Sequence, residues 1–158
     1  MEIHYIFLLL VILFVSCGKQ DYLSPLPVPE VKIYNISFKQ DTIPVTLTVP
    51  SARKENVGSL FATAIDGKLP DSILHMNSLI IRVTGDSARL YTNTEILASY
   101  TDSLGNSFAN DIADTANIVR ITKIENRKDG IVEGSFTIRV SNSTKTKTLF
   151  LNNGKFYT

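Results

Sequence analysis

The sequence predicts a single antiparallel all-β domain over residues 31–158, a β-sandwich or an open barrel. Three observations lead there: short apolar runs with a two-residue period, Gly, Asn and Asp residues punctuating them, and no stretch with the period of a long helix.

The first runs are Val31 to Phe38 and Ile43 to Val49. In the second, Ile43, Val45, Leu47 and Val49 share one face against Pro44, Thr46, Thr48 and Pro50, as a half-buried strand requires, and Pro44 suits a sheet edge. The polar, charged stretch Ser51 to Val57 reads as a loop. Leu60 to Lys68 reads as a strand running into a turn at Asp66-Gly67. Ser78 to Thr84 is β-branched and bounded by Gly85-Asp86; Ala88 to Tyr91 is a short strand, and Thr94 to Tyr100 is a strand or one or two helical turns. Thr101 to Asn117 is rich in oxygen-bearing side chains and reads as one long loop turning at Gly105-Asn106. Ile118 to Glu125 then opens a hairpin that turns at Arg127 to Gly130 and returns from Ile131 to Val140. On the return, Val132, Gly134, Phe136, Ile138 and Val140 share a row, with Gly134 expected at a bulge or a close approach. Ser141 to Thr144 is a turn, Lys145 to Leu151 a strand, Asn153-Gly154 a tight turn and Lys155 to Thr158 a closing strand. The core expected from these rows is Ile43, Val45, Leu47, Phe61, Ile80, Ile121, Phe136, Ile138, Val140 and Phe156.

Ahead of the domain, the apolar run Tyr5 to Val15 ends at Cys17, the one cysteine of the 158 residues. The run is too short for a spanning helix, which needs about 20 residues, and fits the core of a removable export signal, about 7–15. Met1 to His4 carries no Lys or Arg, so the α-amino group supplies most of the positive charge there. The chain thus divides into a signal (1–16), a tether (17–30) and the β domain (31–158). Pro25, Pro27 and Pro29 favour an extended course for the tether. Phe14-Val15-Ser16-Cys17 resembles the bacterial lipobox. That resemblance implies cleavage before Cys17, a diacylglycerol on its sulfur, a further acyl chain, and a bilayer as partner in a bacterial envelope, most naturally the outer membrane. Two or more chains hold stably where one holds marginally. Whether the domain would face the periplasm or the exterior stays open, since Lys19 and Asp21 match surface-export clusters only faintly.

The runs Phe61 to Lys68, Val132 to Ile138 and Leu151 to Phe156 are similar to a set of small β-rich lipoproteins of unknown function from the Bacteroidota. In that set an aromatic residue often follows the first glycine-lysine pair, where this chain has Leu69-Pro70. The resemblance implies fold and location and supplies no activity.

Composition narrows the chemistry. The residues from Cys17 onward carry 16 basic and 14 acidic groups without clustered Lys or Arg, which argues against nucleic acid. With Cys17 acylated there is no thiol for a disulfide, a nucleophile or a metal, and without Trp the usual sugar-stacking platform is missing. His75, between Asp71 and Asn77, has no Gly-x-Ser-x-Gly partner and reads as a solvated loop histidine. Asp102, Asn106, Asp111 and Asp114 offer hard oxygen ligands that calcium accepts, yet their spacing fits no EF-hand and suits ordinary loop chemistry. Glu125, Asp129 and Glu133 flank a hairpin and would have to converge on one cleft to act as a glycosidase pair. Lys145 and Lys147, alternating with threonines, read as a solvated strand face.

The functional expectation is a lipid-tethered, non-enzymatic binding or structural module that engages a glycan, a peptide or an envelope protein through its loops, with Thr101 to Asn117 as the contact surface. The alternative is an envelope hydrolase using carboxylates or His75. The anchor reading is tested by Cys17→Ser: the variant is expected in the soluble fraction, and membrane partition identical to the parent's would reject a lipid on Cys17.

Overall fold

The structure, a computed structural model, describes residues 31–58, 60–70 and 77–158. Cys17, the tether and His75 lie outside the described residues. The fold is all-β: eleven antiparallel strands form one sheet that curls into a nearly closed barrel.

The strands are β1 (Asn35–Gln40), β2 (Ile43–Leu47), β3 (Val49–Val57), β4 (Leu60–Lys68), β5 (Ser78–Thr84), β6 (Leu90–Thr92), β7 (Ile96–Thr101), β8 (Ser107–Asn110), β9 (Ile118–Ile124), β10 (Val132–Ser141) and β11 (Thr148–Tyr157). Closure comes from one bent segment: β2 pairs with β1, the chain bends at Thr48, and β3 pairs with β4. From β4 the ring continues through β5, β7, β8, β10 and β11 back to β1. Ser51 to Val57, expected as a loop, is therefore a strand. Its alternation is real but its charges hide it: Ala52 packs toward the core while Arg53 and Glu55 face outward.

The inner face follows from register. Thr63, Val83 and Ile96 line up across β4, β5 and β7; so do Ile65, Ile81 and Ala98, then Gly67, Leu79 and Tyr100. All nine are buried. Ile80, expected in the core, is on the outer face of β5, because the inward row is Leu79, Ile81 and Val83. Ile43 is 62 % exposed beside the β1–β2 turn, Val45 is half-buried, and Phe61 is 51 % exposed where β4 begins. Leu47, Ile121, Phe136, Ile138, Val140 and Phe156 are buried as expected. An aromatic series crosses the interior from Phe108 through Tyr100, Phe38 and Phe136 to Phe156, with centroid spacings of 5.6–6.4 Å. Tyr100 donates its hydroxyl to Gln40 Oε1 at 2.8 Å, and burial, then the nearby Asp102 charge, pushes its pKa up to about 12.

Two glycine turns expected from sequence are strand interiors instead. Gly67 continues β4, since a Cβ there would meet Ile36 Cδ1 at 2.8 Å and Leu47 Cδ1 at 3.0 Å. Asn153-Gly154 does not reverse the chain but forms a bulge within β11. Phe136↔Gly154 and Ile138↔Leu151 leave one extra residue on β11, and the pairing with β1 skips the same way. Asn153 takes the left-handed conformation (φ 51°) that such a bulge tolerates in Asn. Gly134 does mark a bulge, against β9, and the ring of Phe156 lies where its Cβ would be.

Gly154 carries a packing constraint that can be measured. A Cβ there would sit 2.5 Å from the Phe136 ring. Gly154→Ala is expected to destabilise the barrel by about 1–3 kcal/mol in urea unfolding, as overpacking does. Phe136→Leu, which removes the ring, should recover part of that loss in the double variant.

Candidate functional site

The stretch expected as one long loop is a hairpin turn, the strand β8 and a second loop. Asp102 builds the turn. Its buried carboxylate accepts from the Leu104 and Asn106 amides, both at 2.9 Å, and from the Asn106 side chain at 2.9 and 3.2 Å. Burial pushes the Asp102 pKa up, but the Asn106 and Leu104 hydrogen bonds outweigh it and leave the group below its ordinary value. The other two residues weighed as calcium ligands, Asp111 and Asp114, are on the second loop. There Asp111 accepts from Ala113 N and meets Lys145 Nζ at 3.0 Å, while Asp114 accepts from Ala116 N and meets Arg139 at 3.1 Å. The four residues thus fall into two pairs, each used in turn construction. No group of three or more His, Cys, Asp or Glu side chains suited to a metal occurs among the described residues.

Two asparagines position this region. β10 pairs with β9 along its first half and with β8 at Val140 and Ser141, so between them the sheet divides. Asn110 covers one side of the division: its Oδ1 accepts from Ala98 N at 2.7 Å and its Nδ2 donates to Ile96 O at 3.0 Å. Asn117, fully buried, covers the other. It accepts from Arg139 N at 2.9 Å and donates to Asp111 O at 2.9 Å. Sequence reasoning gave neither residue this role, because an Asn standing in for a missing strand has the same local signature as a loop Asn.

Outside this division lies a groove of about 940 Å³. Ser99, Ala109, Ser141 and Thr148, in register across β7, β8, β10 and β11, form its floor. The 111–114 loop walls one side and the turn from Asn142 to Lys145 the other, with the Lys145–Asp111 ion pair between the two walls. Asn142 shapes its turn by accepting from Lys147 N and donating to Thr146, both at 3.0 Å. The chemistry on offer is hydroxyls, amides and paired charges beside the apolar surface of Phe108, Ala109, Ile112 and Ala113. The outward row was visible as alternation on the flanking strands; that Ser107–Asn110 joins it was not.

A second cleft, about 710 Å³, opens at the end of the barrel where β1 begins, between β3 and the β9–β10 hairpin; Tyr34, Lys54, Glu125 and Lys128 are among its lining. Here Glu125 is held down to about 2 by its bonds to Lys123 and Arg127. Asp129 is on the same hairpin and Glu133 turns away to pair with Lys32, so the three carboxylates do not form a facing pair. The other carboxylates with a resolved shift, Glu55, Glu95, Asp102 and Asp111, are all lowered. Arg82 lowers Glu55 most, burial opposes it, and Arg53 lowers it further; Arg89, then the Thr92 amide, lowers Glu95.

A family model described as a domain of unknown function (DUF6252) matches residues 46–158, which hold every residue of the groove, and the chain belongs to that family. No curated protein and no solved structure matches the chain.

Two outcomes follow for the supports of the groove. Asn117→Ala strands the Arg139 amide and is expected to cost about 1–3 kcal/mol in urea unfolding. Because the folded state holds Asp102 below its ordinary pKa, the unfolded chain takes the proton first. The stability from that carboxylate is complete above the ordinary aspartate range and lost as pH falls through the folded value. Asp102→Asn should therefore show a shallower loss of stability than the parent between pH 6 and pH 3.

Proposed function

We propose that this DUF6252-family chain is an envelope lipoprotein, cleaved before Cys17, acylated there and held on a bacterial outer membrane, whose β domain is a non-enzymatic binding or structural module. The observation that carries the reading is where space is found. The barrel interior is filled by apolar side chains from Ile36 to Phe156, whereas a groove of about 940 Å³ lies on the outer face against the loop from Asp111 to Asp114. A filled barrel recognises with its surface. The hydroxyls of Ser99, Ser141 and Thr148, the amides and paired charges of the rim and the apolar surface of Phe108, Ala109 and Ile112 suit a ligand that both hydrogen-bonds and presents apolar faces, such as a glycan or an extended peptide.

The electrostatics support a module over a hydrolase. General acid–base catalysis needs a group whose pKa stands near the working pH. The resolved carboxylate shifts run the other way, driven by arginines, lysines and backbone amides already in contact. These groups stay ionised and engaged.

The test uses the Cys17→Ser chain, screened against envelope glycans and peptides with and without calcium, and assayed in parallel for turnover. Saturable binding without turnover is expected. Ala109→Trp, which fills the groove from its exposed floor, should weaken binding at least about ten-fold, or about 1.4 kcal/mol. Turnover abolished by His75→Ala would overturn the reading in favour of a hydrolase, and binding indifferent to Ala109→Trp would move the site elsewhere.

A further inference from the structure

The two ends of the barrel differ: at the far end Ile43 and Leu104 are exposed at separate turns, whereas the near end carries four exposed apolar side chains in two adjacent pairs, Ile33-Tyr34 and Leu60-Phe61. At this near end β1 begins, so the chain ahead of it joins the domain there. Tyr34 packs on Tyr157 with ring centroids 4.9 Å apart and lines the same cleft as Lys54. Lys54 in turn lies 3.9 Å over the ring of Phe61, at the start of β4, with its ammonium also paired to Asp86 at 2.5 Å. Around this cleft the rim exposes large apolar side chains: Ile33 at 71 %, Tyr34 at 55 %, Leu60 at 60 % and Phe61 at 51 %. None belongs to the buried core, and Lys54 lies over the ring of Phe61. Exposed aromatic and aliphatic groups beside a lysine are what the headgroup layer of a bilayer accommodates, with the rings at headgroup depth.

We propose that this rim, Ile33, Tyr34, Leu60 and Phe61 with Lys54, rests on the bilayer surface and turns the groove away from it. The proposal rests on the lipid-anchor reading above and adds an orientation to it. Thirteen residues, Gly18 to Glu30, separate Cys17 from Val31, a reach of at most about 45 Å when fully extended. That keeps the domain near the membrane without setting which way it faces; the apolar rim sets it. Along β10 the groove residue Ser141 stands eight residues beyond Glu133, which pairs with Tyr157 at the rim end, or about 25 Å at strand spacing. The groove is thereby held outside the headgroup layer while the rim lies in it.

The acylated full-length chain has no other thiol, so single cysteines report position directly. Ile33→Cys and Leu60→Cys place a bimane probe at the rim; Leu104→Cys, 79 % exposed on the β7–β8 turn, places one at the far end. Each protein is reconstituted in phosphatidylethanolamine–phosphatidylglycerol vesicles with and without brominated acyl chains. Quenching several-fold stronger at 33 and 60 than at 104, abolished when Phe61→Asp is added, supports the proposal. Equal quenching at all three sites in vesicle-bound protein overturns the orientation and leaves the anchor standing. A blue shift at 33 and 60 without lipid quenching, growing with protein density, would mean that a second copy covers the rim and also overturns it. Failure of the parent chain to associate with vesicles would remove the anchor and the orientation together.

Discussion

A sheet must pair its backbone amides and carbonyls, and in this barrel that requirement is hardest to meet where β10 passes from β9 to β8. Neither neighbour covers the whole strand, and an unpaired buried amide costs about as much as a lost hydrogen bond. Asn110 and Asn117 supply the missing groups from their side chains, one facing β7 and one facing β10. The rest of the region follows from that substitution. The chain between the two asparagines stands off the barrel, Asp111 and Asp114 fold it into short turns, and the space it leaves over Ser99, Ala109 and Ser141 is the groove.

Ionic groups are distributed by the same economy. Over the outer face of β4, Ala62 and Ala64 are buried although they point away from the core. They lie between Glu55, Arg53 and Arg82, and these side chains bridge across them, with Arg53 also reaching Asp66. Two small residues let long side chains lie flat, so their stems cover apolar surface while their charges stay wet. Such exposed pairs add little stability individually. Their effect is to tie Glu55 and Asp66 to arginines across neighbouring strands.

The class of fold was legible because strands such as Ile118 to Ile124 and Val132 to Val140 keep a clean two-residue period. The errors fall where a second constraint overrode the local one. Ser51 to Val57 looked like a loop because its outward charges mask an inward Ala52, and only its position at the closure of the ring makes it a strand. Gly67 and Gly154 looked like turn residues, yet each is small because Ile36 and Leu47, or Phe136, fill the space above it. Sequence carries no sign of which neighbour will arrive. The candidate site was partly legible: the 101–117 stretch supplies Ser107 to Asp114 of the groove lining, and its acidic residues, weighed as calcium ligands and as ordinary loop chemistry, are each committed to a nearby amide or cation.

The pairing of β1 with β11 has a consequence in time. Asn35 lies against Tyr157 and Gln40 against Leu151, so β1, emerging early in synthesis, finds that neighbour among the last residues of the barrel. Contacts of such separation close slowly, because the loop entropy comes before the contacts that offset it. Until β11 arrives, the β1–β2 hairpin presents one unpaired edge, and the row formed by Ile36 and Phe38 waits uncovered. A chain of this topology cannot mature strand by strand. Its safe passage depends on whatever shields that first hairpin until the final strand is delivered.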